Sequence, residues 1–192
     1  MIPDVYLEGL PADLALGLRR DPERYILFLD IETEGLSKER NGITVLGTMV
    51  ERRYRAFVAG FNLEKGVSYL ARYPVWVTFG GARFDLPFLR ARFPELSTPL
   101  LHLDLCQLYR QLGYRGGLKK LEVLFGLSRR TRGLSGYDAV KLWQRWVQRK
   151  DRRALRTLLL YNREDVSNLR FLLKKACILF RQGEFGEAAC GG

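Results

Sequence analysis

YILFLDIETEGL, residues 25–36, opens as an apolar run and then sets Asp30, Glu32 and Glu34 at every second position. In an extended strand alternate side chains share a face, so Asp30 and Glu32 point the same way, about 7 Å apart along the chain. A core strand that ends in acid is unusual, and something must hold those carboxylates in place.

The chain of 192 residues has the size of one domain. With 47% hydrophobic and 12% aromatic residues it needs no disulfides to fold. Its cysteines, Cys106, Cys177 and Cys190, are odd in number and lack Cys-x-x-Cys spacing, which predicts reduced thiols and a cytoplasmic setting. The first 25 residues carry acids and prolines where a signal peptide needs a basic start and an apolar block. No segment reaches the roughly 18 uninterrupted apolar residues of a membrane span, so no membrane partner is expected.

The 32 Lys and Arg against 21 Asp and Glu leave a formal charge of +11, and a polyanion is the expected partner. Basic residues crowd into YRGGLKK (114–120), SRRTRG (128–133) and QRWVQRKDRRALR (144–156), with Tyr114, Trp143, Trp146 and Tyr161 nearby. That pattern suits a surface that tracks phosphates and stacks bases. The run from Arg149 to Arg156 reads equally as a solvated helix face.

Apolar runs bounded by turn signals predict strands at 25–31, 43–50, 54–60, 75–79 and 100–104. The first two joins are short enough for antiparallel hairpins, and the last two strands follow longer pieces with helical pattern. Helices are expected at 105–112, 117–125, 135–149 and 151–181. The fold class is therefore α/β, a five-stranded mixed sheet with its first three strands antiparallel, flanked by helices. Residues 1–23 are read as an N-terminal extension, 24–181 as the domain, and the Gly/Ala-rich tail 182–192 as disordered.

Three further acids stand out. Asp85, in VWVTFGGARFDLPFL (75–89), follows an apolar strand and two glycines at a helix start, where it reads as a cap as readily as a ligand. Asp104, in LLHLDLCQLY (100–109), reads as a cap or network residue. Asp165, in LLLYNREDVSNL (158–169), shares a helix face with Tyr161 four residues earlier, and Leu158, Leu169 and Leu172 turn that face inward. A carboxylate facing apolar packing is costly unless paired, protonated or bound to metal.

In order and separation, DIETEGL, FDLPFL and YNREDVSNL resemble the three exonuclease motifs of the DEDD superfamily. Over about residues 24–175, through HLDL, GGLKKLE and LSGYDAVKLW, the chain is similar to the YprB-like ribonuclease H-like domain family. The resemblance implies a ribonuclease H-like fold and maps four metal-binding acids onto Asp30, Glu32, Asp85 and Asp165. The superfamily divides by the residue that orients the attacking water, a histidine five positions before the last Asp or a tyrosine four before it. Here position 160 is Leu and position 161 is Tyr, so the tyrosine subtype and a catalytic role for Tyr161 are implied. The single histidine, His102, reads as structural. Thr33, Leu36, Arg83, Phe84 and Lys119 carry over as candidate nucleic-acid contacts, Leu36 and Phe84 equally as core. Many relatives read FNGKSFD where this chain has FGGARFD (79–85), so Gly80 stands where an Asn is usual.

Four clustered carboxylates cannot all ionise together unless cations neutralise them, and oxygen-only ligands favour Mg²⁺ or Mn²⁺. Two such ions, roughly 3.5–4 Å apart, are the expected cofactors. The expected function is a 3′-to-5′ exonuclease on single-stranded DNA or RNA ends, DNA slightly favoured. The alternatives are an endonuclease of the same fold, an inactive nucleic-acid-binding module, and a purely structural interaction domain.

Overall fold

The acid-ended strand is central. In a computed structural model, which describes residues 2–183, it is β1 (Ile26–Thr33), and alternation gives its two faces different work. Leu27, Leu29 and Ile31 pack with Leu63, Phe88 and Leu89, whereas Ile26 and Phe28 pack with Val166, Leu169 and Leu172. A strand covered on both faces reads as a continuous apolar run, as this one does until Asp30.

β2 (Ile43–Val50) pairs antiparallel with β1, and β3 (Arg53–Val58) antiparallel with β2. On the other side β4 (Val75–Thr78) and β5 (Leu101–Asp104) run parallel to β1, giving the order β3-β2-β1-β4-β5. The expected five-stranded mixed sheet is present, with strand ends shifted by at most two residues. The β2–β3 turn is tighter than its sequence advertises: Glu51 and Arg52 both take positive φ, 52° and 79°, without a glycine. Such two-residue turns need that hand to match strand twist.

Helices α1 (Ala12–Arg20), α2 (Leu63–Leu70), α3 (Asp85–Arg92), α4 (Leu105–Gln111), α5 (Leu118–Leu124), α6 (Gly136–Arg149) and α7 (Arg152–Gln182) surround the sheet. A capping box starts α6: Ser135 Oγ accepts from the Asp138 N–H, and Asp138 Oδ2 accepts from the Ser135 N–H. Asp151 caps α7 through the N–H groups of Arg153 and Ala154. At about 1.5 Å per residue α7 runs about 46 Å, long enough to serve both the core and the acid cluster. Gly183, at φ +64°, closes it. The tail expected to be disordered lies outside the described residues from position 184, as does Cys190.

Residues 2–23 join the core that α7 builds. Ile2, Leu7, Leu14, Ala15 and Leu18 are buried in the cluster of Leu169 and Leu172, and Arg170 pairs with Glu23. The aromatic residues among the basic segments face mainly inward. Trp143 and Tyr161 are buried, and Tyr114 packs edge-on to Tyr109. Trp146 is half-buried, 6.0 Å from Phe61, with the Lys150 ammonium 5.7 Å from its ring. Helices with one apolar stripe must bury it, and the tryptophans of α6 lie along that stripe.

Candidate active site

Four carboxylates reach one pocket from three elements. Asp30 and Glu32 end β1, Asp85 opens α3, and Asp165 lies midway along α7. The pocket has a volume of about 650 Å³ and is also walled by Thr33, Leu36, Gly80, Phe84, Tyr137 and Tyr161. Asp30, Glu32 and Asp165 each offer an oxygen such that all three atoms lie within 4.8 Å of one another. Asp85 is outside that trio. Its Oδ1 accepts the Ile31 N–H at 3.1 Å, tying α3 to β1, so it is not merely a cap for its own helix.

Burial is the leading cause of the raised carboxyl pKa values here. Asp30 is pushed well up by burial and then by Asp165, Glu32 and Asp85. Glu32 is pushed well up by burial and Asp165, against a hydrogen bond from Asn162. Burial takes Asp85 to about 7 and Asp165 to about 6, the latter against the downward pull of the Arg129 guanidinium. Buried, mutually repelling oxygen donors with no nitrogen or sulfur among them fit a hard divalent cation.

The sign of the linkage follows. Folded-state values lie above the roughly 4 of an unfolded carboxyl, so the folded protein binds the extra protons and loses stability as pH rises through that window. With EDTA present, the melting temperature is expected to fall between about pH 5 and pH 8, and a divalent cation to restore it at the alkaline end. A melting temperature that climbs from pH 6 to pH 8 in EDTA contradicts this.

Arg129 is the buried counter-charge. Its side chain is 7% exposed and contacts Asp165 Oδ1, with Glu122 at 3.2 Å, Glu164 at 3.8 Å and the Tyr161 carbonyl at 3.3 Å. The SRRTRG segment is thus partly an internal strut: Glu164 accepts from the N–H groups of Arg130 and Thr131, and Thr131 is buried. Replacing Arg129 by Met should destabilise the fold by about 3–5 kcal/mol in urea titrations, because buried carboxylates lose their cation. A loss below about 1 kcal/mol would contradict a buried pair.

Tyr161 sits one helical turn before Asp165 and is buried. The Lys119 ammonium lies 4.8 Å and the Arg129 guanidinium 5.1 Å from its ring centre. Burial and the neighbouring acids raise its phenol pKa, so the hydroxyl keeps its proton. Lys119 also donates to the Leu134 carbonyl, so it is engaged in packing. Leu36 lines the pocket while 88% exposed, which rules out a core role. Phe84 is half-buried, 4.8 Å from Phe88. The Thr33 hydroxyl donates to the Gly35 carbonyl at 2.6 Å, and Arg83 is exposed and outside the pocket lining.

Gly80 has φ +75° and open space where a Cβ would stand. The left-handed region is one that Asn tolerates, so the backbone admits either residue. Asp104 caps α4 and gathers the N–H groups of Gly80 (2.7 Å), Ala82 (3.1 Å) and Cys106 (3.0 Å), the network role expected of it. His102 is 2.9 Å from the Thr78 hydroxyl and does not line the pocket.

Sequence reasoning missed Asn162. It is fully buried between Tyr54 and the β1 acids, with its Nδ2 2.9 Å from Asp30 Oδ2 and its Oδ1 2.8 Å from the Tyr54 hydroxyl. A glycine inside β2, Gly47, was the available signal, since strand glycines mark close approach.

Solved structures resemble this chain in fold. A family B DNA polymerase from Pyrobaculum calidifontis aligns at TM-score 0.65 and 19% identity, over 82% of this chain and 25% of the polymerase. The chain therefore spans about a quarter of that protein. The apo form of a nuclease aligns at TM-score 0.57 and 24% identity, over 93% of this chain and 82% of that one. Brucella melitensis NrnC bound to pGG aligns at TM-score 0.55 and 21% identity, over 85% and 78%, and NrnC with bound Mg²⁺ gives the same values. No curated protein matches the sequence significantly. The family model RNase_H_2, described as the RNase_H superfamily, matches residues 27–177, from the apolar half of β1 to beyond Asp165, and the chain belongs to that superfamily.

Proposed function

We propose that the chain is a metal-dependent 3′-to-5′ exonuclease of the DEDD superfamily, tyrosine subtype and YprB-like, hydrolysing phosphodiester bonds at single-stranded ends with DNA slightly ahead of RNA. The observation that carries this reading is the convergence of Asp30, Glu32 and Asp165 within 4.8 Å, with Asp85 in the same pocket and Tyr161 beside them. NrnC solved with pGG and with Mg²⁺ supports nucleic acid and a divalent cation as partner classes.

Asp30, Glu32, Asp85 and Asp165 would hold two ions, Mg²⁺ or Mn²⁺. When bound, these supply the charge neutralisation that phosphodiester cleavage requires. Tyr161, kept protonated, orients the attacking water by hydrogen bonding and does not act as a base. Leu36 and Phe84 contact the terminal bases, and Thr33, Arg83 and Lys119 hold the strand close to the pocket. Glu164 is committed to the 130–131 backbone and is not free to replace Tyr161.

A time course on end-labelled single-stranded DNA and RNA, with Mg²⁺, Mn²⁺ or EDTA, tests this reading. Mononucleotides should appear from linear strands only when a cation is present, while circular strands stay intact. Cleavage of circles would make the protein an endonuclease, and binding without cleavage an inactive module.

Salt separates phosphate-binding residues from solvated charge. Reversing Arg149, Lys150, Arg152 and Arg153 together should shrink the log–log salt slope of strand binding by about 0.7 for each phosphate that is no longer neutralised. An unchanged slope would make that run a solvated face.

A further inference from the structure

We propose that Asn162 is the positioning residue of the β1 acids: seated in the gap left by Gly47 and locked by Tyr54, its carboxamide holds Asp30 and Glu32 in the arrangement that receives the cation. The inference rests on the metal-dependent reading above.

The hydrogen bonds run one way through the residue. Nδ2 donates to Asp30 Oδ2 at 2.9 Å and to the Asp30 carbonyl at 3.2 Å, with Glu32 Oε1 at 3.5 Å. Oδ1 accepts from the Tyr54 hydroxyl at 2.8 Å. Carboxylates that hold a cation are ionised and only accept, so the amide nitrogen faces them and the amide oxygen faces Tyr54. The donor is neutral, which fixes the acids without placing a rival cation between them. Arg129, on the Asp165 side, cannot do that.

Gly47 provides the space. It stands opposite Asp30 in the β1–β2 register, and a Cβ there would lie 1.7 Å from Asn162 Oδ1 and 2.7 Å from its Cγ. Its φ is not positive, so the backbone does not require glycine. A glycine inside a strand gives up packing, and here that loss admits the amide. Outer partners that orient metal-binding carboxylates typically contribute about 10- to 100-fold in cation affinity.

Calorimetric titration of the full chain with Mn²⁺ tests the assignment, with melting in EDTA confirming that each variant is folded. Asn162→Ala and Gly47→Ala should each weaken Mn²⁺ binding about 10- to 100-fold. The double variant should be no weaker than Asn162→Ala, because the carboxamide that the added methyl would strike is then gone. Tyr54→Phe, which removes only the locking hydroxyl and is the safest to fold, should weaken binding about 2- to 10-fold. Saturating Mn²⁺ should restore kcat in all of them, whereas a purely structural lesion would not respond. Folded Asn162→Ala or Tyr54→Phe that binds Mn²⁺ like wild type, or a double variant showing the full product of both losses, would overturn the positioning role alone. Wild-type protein that binds no Mn²⁺ would overturn the metal reading and this inference with it.

Discussion

Asp30→Asn is expected to release mononucleotides at less than about 1% of the wild-type rate in saturating Mg²⁺, since even outer partners of such acids are worth 10- to 100-fold. The same change should leave the fold intact and raise the melting temperature in EDTA. Asp30 is buried beside Glu32, Asp85 and Asp165, whose charges raise its pKa after burial itself has done so. An amide cannot ionise, so the cost of keeping a buried acid beside three others is gone, and the amide still offers an oxygen to Asn162. The loss of turnover and the gain in metal-free stability therefore belong together. Undiminished cleavage by this variant, or a melting temperature several degrees lower in EDTA, would contradict the assignment of Asp30 to a cation-holding cluster.

Tyr161→Phe should lower kcat by about 10²- to 10⁴-fold, or about 3–5 kcal/mol of barrier, with little change in strand affinity or Mn²⁺ affinity. The ring remains, so its packing under the Lys119 ammonium and the Arg129 guanidinium is kept, and only the hydroxyl leaves the pocket. Asp165→Asn should instead weaken cation binding together with turnover, because its oxygen belongs to the trio within 4.8 Å. Single-turnover rates above about a third of wild type for Tyr161→Phe would make the hydroxyl structural.

What the sequence made legible is what local pattern encodes. The apolar run of β1, the alternation of Asp30 with Glu32 and the one-turn spacing of Tyr161 to Asp165 each follow from strand or helix period, and each appears where expected. The N-terminal segment was harder to read. Its apolar residues are spread among charges, and their burial depends on α7, which lies more than a hundred residues away in the chain. Asn162 was hidden for the same reason: its partners Tyr54 and Asp30 are 108 and 132 residues distant. Arg129 looked like one more residue of a basic surface, because charge counting does not distinguish an arginine that faces phosphate from one enclosed by Glu122 and Asp165. Non-local pairing of polar groups leaves no periodic trace, apart from an oddity such as a glycine in a buried strand.

The most direct measurement is an anomalous difference map, collected at the manganese absorption edge, from crystals of the wild-type protein soaked in Mn²⁺. Density bounded by the carboxylates of Asp30, Glu32 and Asp165, absent from Asp30→Asn crystals treated alike, is the expected result. A map without a peak in this pocket at saturating Mn²⁺, or with its peaks only at surface acids, would contradict the cation site on which the proposed chemistry depends.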